Sequence, residues 1–227
     1  MRGKFICFIG IDGSGKTTLI NETVRRFSEK GIKCKYVWGS YELFILRPFV
    51  VLGKKLFWGD KNSREDYITY VSSVNKVGKS GFLSICYQTA VFMEYFIQIL
   101  FKIGVPLMMK SNIISDRYIY DTVISMKVNL GLKESSMHRI ISAFLKIIPV
   151  PDLIFFVDVP EETAFSRKTD TPSIDYLRIR RGLFRKTAEN HNAVFLDGAR
   201  PIGELYSLIE GSILSNLIAP ANKYIKE

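Results

Sequence analysis

The stretch Gly10-Ile11-Asp12-Gly13-Ser14-Gly15-Lys16-Thr17 fits the pattern G-x-x-x-x-G-K-[ST] at every position. An apolar run, Lys4–Gly10, leads into it. A helical pattern leaves it, with Ile20, Val24 and Phe27 at i, i+4, i+7 spacing and a stop at Gly31. Strand, glycine-rich bend and helix in this order build an anion cradle. The glycines let successive backbone N–H groups turn inward toward phosphate oxygens. The helix N-terminus adds about half a positive charge. Lys16 would reach the β- and γ-phosphates of a nucleoside triphosphate, and the Thr17 hydroxyl would ligate Mg2+. Gly10, Asp12, Gly13, Ser14, Gly15, Lys16, Thr17 and Thr18 are therefore the candidate triphosphate-binding residues.

Outward from the loop, four more short apolar runs read as strands: Lys33–Trp38, Asn112–Ser115, Leu153–Val159 and Ala193–Leu196. Helical patterns cover Arg64–Val77, Phe82–Ile103, Tyr118–Asn129, Glu134–Lys146, Glu161–Arg167, Ile174–Asn190 and Ile202–Ser215. Strands alternating with helices predict an α/β fold. The expected architecture is a P-loop three-layer sandwich, a five-stranded parallel sheet with helices on both faces. A single domain is expected over residues 1–216, with a lid around 167–181 and a tail at 217–227 that frays.

With 227 residues, 47% hydrophobic and 24% charged, the chain has the profile of a folded domain, which excludes disordered and fibrous classes. Cys7, Cys34 and Cys86 are scattered without metal or redox spacing, so they read as reduced thiols of a cytoplasmic protein. The two most apolar stretches are Leu43–Trp58 and Phe82–Met109. Arg47, Lys54 and Lys55 interrupt the first and Glu94 and Lys102 the second, which argues against a membrane span. The net charge of +10 favours anionic partners, whether phosphorylated small molecules, nucleic acid or acidic lipid.

The loop is shared by switch GTPases, motor ATPases and small kinases. A GTPase needs N-K-x-D, and the nearest segment, Asn75-Lys76-Val77-Gly78, lacks the Asp. The chain is short for a motor, so a small kinase remains. Asp116-Arg117-Tyr118 closes a strand whose carboxyl end should face the ligand crevice. Asp116 would hold the metal through water, and Arg117 would clamp an acceptor phosphate, because guanidinium forks fit phosphate oxygens. Seven cations lie between Arg167 and Lys186 against Asp170 and Asp175. They read either as a closing lid, with Arg167 and Lys168 flanking its turn, or as a solvated basic helix face. Glu94, in a strongly apolar helix, would either reach the cleft or cap a buried pair. His138 and His191 read as structural.

Taken together these segments resemble the thymidylate kinases, within the nucleoside monophosphate kinases. The resemblance rests on Phe8 to Thr18, Asp116-Arg117-Tyr118, Pro151-Asp152-Leu153, Val157 to Glu162 and Val194 to Asp197. It implies ATP and Mg2+, a homodimer, and phosphoryl transfer to dTMP giving dTDP. It also implies roles: Asp12 accepting a hydrogen bond from the acceptor sugar, Arg117 on the acceptor phosphate, and Arg200 near adenine. The family's Arg-Glu-Pro turn is absent here. Trp38-Gly39-Ser40 stands in its place, and Arg47-Pro48 follows later. Arg47 and Tyr120 are the remaining candidate acceptor contacts; Lys16, Asp116, Arg117 and Arg167 are the candidate catalytic residues; Thr17 and Asp116 are the candidate metal ligands. The divergent acceptor half keeps open a P-loop kinase for a nucleoside, another nucleotide or a phosphorylated sugar, and the +10 charge with the Leu43–Trp58 stretch keeps open a non-catalytic nucleotide-binding protein docking on an anionic membrane or nucleic acid.

Overall fold

A computed structural model describes residues 2–42, 81–168 and 171–215, with backbone only for 81–88 and 130. The expectations for Arg64–Val77, Arg47, the stretch Leu43–Trp58 and the tail 217–227 lie outside the described residues. Five strands form the sheet: β1 (Phe5–Ile9), β2 (Cys34–Trp38), β3 (Asn112–Asp116), β4 (Leu153–Asp158) and β5 (Val194–Asp197). All are parallel, in the order β2-β3-β1-β4-β5. Each falls on an apolar run expected from the sequence. Every side chain of β1 is buried, as a central parallel strand covered on both faces requires.

Among the described residues the main helices are α1 (Lys16–Glu29), α2 (Gly81–Ile99), α3 (Ile119–Leu130), α4 (Glu134–Phe144), α5 (Glu161–Ser166), α6 (Ile174–Asn190) and α7 (Ile202–Ile213). Helix α1 buries Leu19, Ile20, Thr23 and Phe27, while Val24 sits at the margin of its apolar stripe. Gly31 ends the turn with φ 76°, and Ile32 N–H folds back onto the Phe27 carbonyl at 2.8 Å.

Helix α2 runs on through a π-helical turn, Leu100–Gly104, into Val105–Met108. Thr89–Met108 is long and apolar enough to cross a membrane by length and composition, despite Glu94 and Lys102. Its inner face is core, with Tyr95, Ile99, Ile103 and Leu107 buried. Glu94 is buried and accepts a hydrogen bond from the Tyr41 hydroxyl at 2.8 Å, the capped-pair alternative for that residue.

Strand order reverses at β1, which has β3 on one side and β4 on the other. The register sets Phe8 opposite both Asp116 and Phe155. The carboxyl ends of β1, β3 and β4 therefore open onto one crevice, where an open α/β sheet binds its ligand.

Candidate active site

The loop after β1 is shaped by backbone conformations that side chains resist. Gly10, Gly13 and Gly15 have φ of 146°, 80° and 89°. A Cβ on Gly13 would lie 2.2 Å from the Ala164 carbonyl oxygen, so the loop is seated directly against α5. Lys16 opens α1 and is nearly fully buried; its Nζ donates to the Ile11 carbonyl at 2.6 Å and to Ser14 Oγ at 3.1 Å. Burial, reinforced by the charge of Arg117, lowers the Lys16 ammonium to about 8. An ammonium so poorly solvated gains from a phosphate more than a surface lysine would.

Register carries the end of β3 to the same place. Thr17 Oγ1 donates to Asp116 Oδ2 at 2.5 Å, although 99 residues separate them in sequence. Asp116 is fully buried, and its Oδ1 has no hydrogen-bond partner. A hydroxyl, one carboxylate and an unspent carboxylate oxygen suit a hard cation that keeps waters and phosphate oxygens as its other ligands. Among the described residues, no cluster of His, Cys, Asp or Glu could cage a metal alone. The donor set thus fits Mg2+ arriving with phosphates.

Arg117 is the next residue, and its backbone is strained: φ is 73°. Three contacts hold it there. Its N–H donates to the Phe8 carbonyl at 3.0 Å. Its carbonyl accepts from Ser115 Oγ at 2.5 Å. Gly39, just past β2, donates to the Asp116 carbonyl at 2.9 Å, and a Cβ there would lie 2.3 Å from the Arg117 carbonyl oxygen. The guanidinium carbon sits 5.0 Å from the centre of the Trp38 ring. Its Nη2 pairs with Asp12 and its Nη1 with Asp121 at 2.7 Å, while Nε is buried without a partner. Burial pushes the Asp12 carboxyl up, but Arg117, Arg180 and Lys16 outweigh it and hold the group below its usual range.

Lys16, Thr17, Asp12, Asp116 and Arg117 are therefore brought together as expected. Thr18 is exposed on α1. Arg167 is exposed at the end of α5, and among the described residues no hydrogen bond or ion pair joins it to the loop. Arg200 lies on the turn after β5, 3.6 Å from Asp197. That turn backs onto the phosphate loop, because a Cβ on Gly198 would lie 3.1 Å from the Ser14 carbonyl oxygen. Tyr120 corrects an expectation. It is fully buried with its ring 5.0 Å from that of His191, so it belongs to the core and not to an acceptor contact.

Within the basic segment, Arg178, Arg181 and Arg185 are engaged in ion pairs. Arg181 pairs with Asp158 and Glu161 at 2.7 and 2.9 Å, Arg185 with Asp158 at 2.6 Å, and Arg178 with Glu161 at 2.8 Å. The backbone N–H at Glu161, then Arg178 and Arg181, pull the Glu161 carboxyl down to about 2. Arg180, by contrast, is buried against Asp121 at 2.8 Å. Asp121, Arg180 and Gly39 were not among the expected site residues. Asp121 stands four residues after Arg117 on a helical pattern, the spacing at which opposite charges meet, and that signal was available.

No family model matches the chain. Curated relatives do. Over 213 residues it is 27% identical to the thymidylate kinase of Fervidobacterium nodosum, covering 89% of this chain and 94% of the relative. A probable thymidylate kinase of Sulfurisphaera tokodaii is 26% identical over 208 residues, 89% and 91% of the two chains. One from Prochlorococcus marinus AS9601 is 27% identical over 225 residues, 95% and 98% of the two chains.

Proposed function

We propose that the chain is a thymidylate kinase-like nucleoside monophosphate kinase moving the γ-phosphoryl group of ATP to the 5′-phosphate of dTMP, a reading supported by thymidylate kinases 26–27% identical over most of the chain. The observation that carries this is Arg117. A mostly buried guanidinium, held by strained backbone beside a phosphate loop, is placed to present an anionic acceptor to a triphosphate.

The acceptor phosphate is already a nucleophile, so no covalent intermediate is needed. One of its oxygens bonds to Pγ, the bond from Pγ to the bridging oxygen breaks, and ADP leaves. Arg117 orients the attacking phosphate through its fork and its spare Nε–H. Lys16 and the loop amides balance charge on the β- and γ-phosphates. Thr17 and Asp116 would hold Mg2+, which would neutralise phosphate charge during transfer. Residues 1–216 act as one kinase domain, and Arg167 and Lys168 flank a lid turn that closes over the phosphates. The working unit is a homodimer; the exposed apolar flank of Met93, Ile97, Phe101 and Met108 supports that reading.

The test is an ADP-release assay with ATP, Mg2+ and each deoxynucleoside monophosphate in turn. dTDP formation with dTMP preferred is the expected result. No diphosphate from any acceptor would overturn the proposal.

A further inference from the structure

We infer that Asp121 and Arg180 form a positioning pair that decides which end of the Arg117 fork meets the acceptor phosphate. The inference rests on the reading of Arg117 as the acceptor clamp.

Four charged side chains stand in a row, and water access falls along it. Side-chain exposure is 22% at Asp12, 12% at Arg117, 4% at Asp121 and 2% at Arg180. Asp121 Oδ1 accepts from both guanidiniums, Arg117 Nη1 at 2.7 Å and Arg180 Nη2 at 2.8 Å. Arg180 is itself fixed from three sides. Its Nη1 donates to Ser125 Oγ at 2.8 Å and to the Tyr176 hydroxyl at 3.2 Å. Its guanidinium carbon lies 5.4 and 5.5 Å from the ring centres of Tyr176 and Phe184.

The two contacts of Arg117 are therefore unequal. Breaking the inner one strands buried charges, while breaking the outer one returns Asp12 to water. An incoming phosphate takes the place of Asp12 at Nη2 and leaves Nη1 on Asp121. With Asp12 displaced, one carboxylate faces two guanidiniums, and the remaining excess positive charge draws the phosphate. Arg180 also lies on α6, whose N-terminus Ser173 caps. The acceptor clamp is thus anchored to α6.

The test compares steady-state kinetics and thermal melting of the full chain with those of Asp121→Asn, Arg180→Lys and the double variant Asp121→Asn/Arg180→Met. Asp121→Asn is expected to raise the KM for dTMP about tenfold while the KM for ATP stays within about twofold. Arg180→Lys, which keeps a cation, should keep the KM for dTMP close to that of the parent. The double variant removes both buried charges, so its melting temperature should stay near that of the parent while its KM for dTMP remains raised. A double variant with the parent's KM for dTMP, or a folded Asp121→Asn with an unchanged one, overturns the inference and leaves the kinase reading intact. A parent chain that phosphorylates no nucleoside monophosphate overturns that reading first.

Discussion

Two arginine–carboxylate clusters stand at the carboxyl end of the sheet, one on each side of β1, and they differ in how much water reaches them. On the β3 side, Arg117, Asp121 and Arg180 are 12%, 4% and 2% exposed at their side chains. On the β4 side, Arg181, Arg185 and Arg178 are 29%, 53% and 56% exposed around Asp158 and Glu161. Buried ion pairs seldom add stability over a packed apolar core, so the inner cluster is best understood through the geometry it imposes on Arg117. The outer pairs are solvated and exchange at little cost. That suits the root of a segment that closes and reopens. On the proposed reading, the difference separates a fixed acceptor side from an adjustable side around α5 and α6.

The sharpest way to break this picture is at the loop between the clusters. Lys16→Ala should lower kcat by about a thousandfold or more while the circular-dichroism spectrum stays that of a folded α/β protein. Near-parental turnover in that variant would remove the loop from the chemistry. Next, the two clusters should respond unequally to the same change. Arg180→Met leaves Asp121 with one partner in a dry setting and should cost about 3–5 kcal/mol in urea unfolding. Arg185→Met should cost less than about 1 kcal/mol. Equal losses would erase the contrast.

A smaller effect comes from protons. Burial, with help from Arg117, depresses Lys16 to about 8, so above that pH the free protein has shed a proton that phosphates favour. Triphosphate binding at pH 8.5 to 9 should therefore take up a proton, and affinity should fall as pH rises through 8. Calorimetry in buffers of different ionisation enthalpy reads this directly, and zero uptake would contradict it. Without nucleotide the sign is opposite. The unfolded chain holds the proton up to its ordinary range, so stability rises from about pH 8 to about 10.5. The smallest effect belongs to Tyr120→Phe. Its hydroxyl is buried without a partner, so the change should shift stability by no more than about 1 kcal/mol and leave the KM for dTMP alone. A raised KM would return Tyr120 to the acceptor site.

The strands were legible because a parallel sheet covered on both faces needs unbroken apolar runs, and Phe5 to Ile9 is one. The loop was legible because few contexts other than phosphate binding ask for glycines and Lys16 at that spacing. Asp116 and Arg117 were legible from the strand end they terminate. The Asp121–Arg180 pair was not, since 59 residues separate its members and only the packing of α3 on α6 joins them. Arg180 was also hidden among neighbouring cations, and no periodicity distinguishes the one that turns inward. Tyr120 misled for a simpler reason. Successive helical residues point about 100° apart, so the position next to Asp121 faces the core. Gly39 was unreadable in advance because its constraint is the carbonyl of a residue 78 positions later, Arg117.

The indole of Trp38 lying over the Arg117 guanidinium also gives the protein a built-in optical reporter. The chain has two tryptophans, so replacing Trp58 with Phe leaves a single tryptophan, its ring centre 5.0 Å from the guanidinium carbon of Arg117, the proposed acceptor clamp. Docking a phosphate on that guanidinium alters the field across the ring, and nucleotide titrations can then be followed by fluorescence without a label.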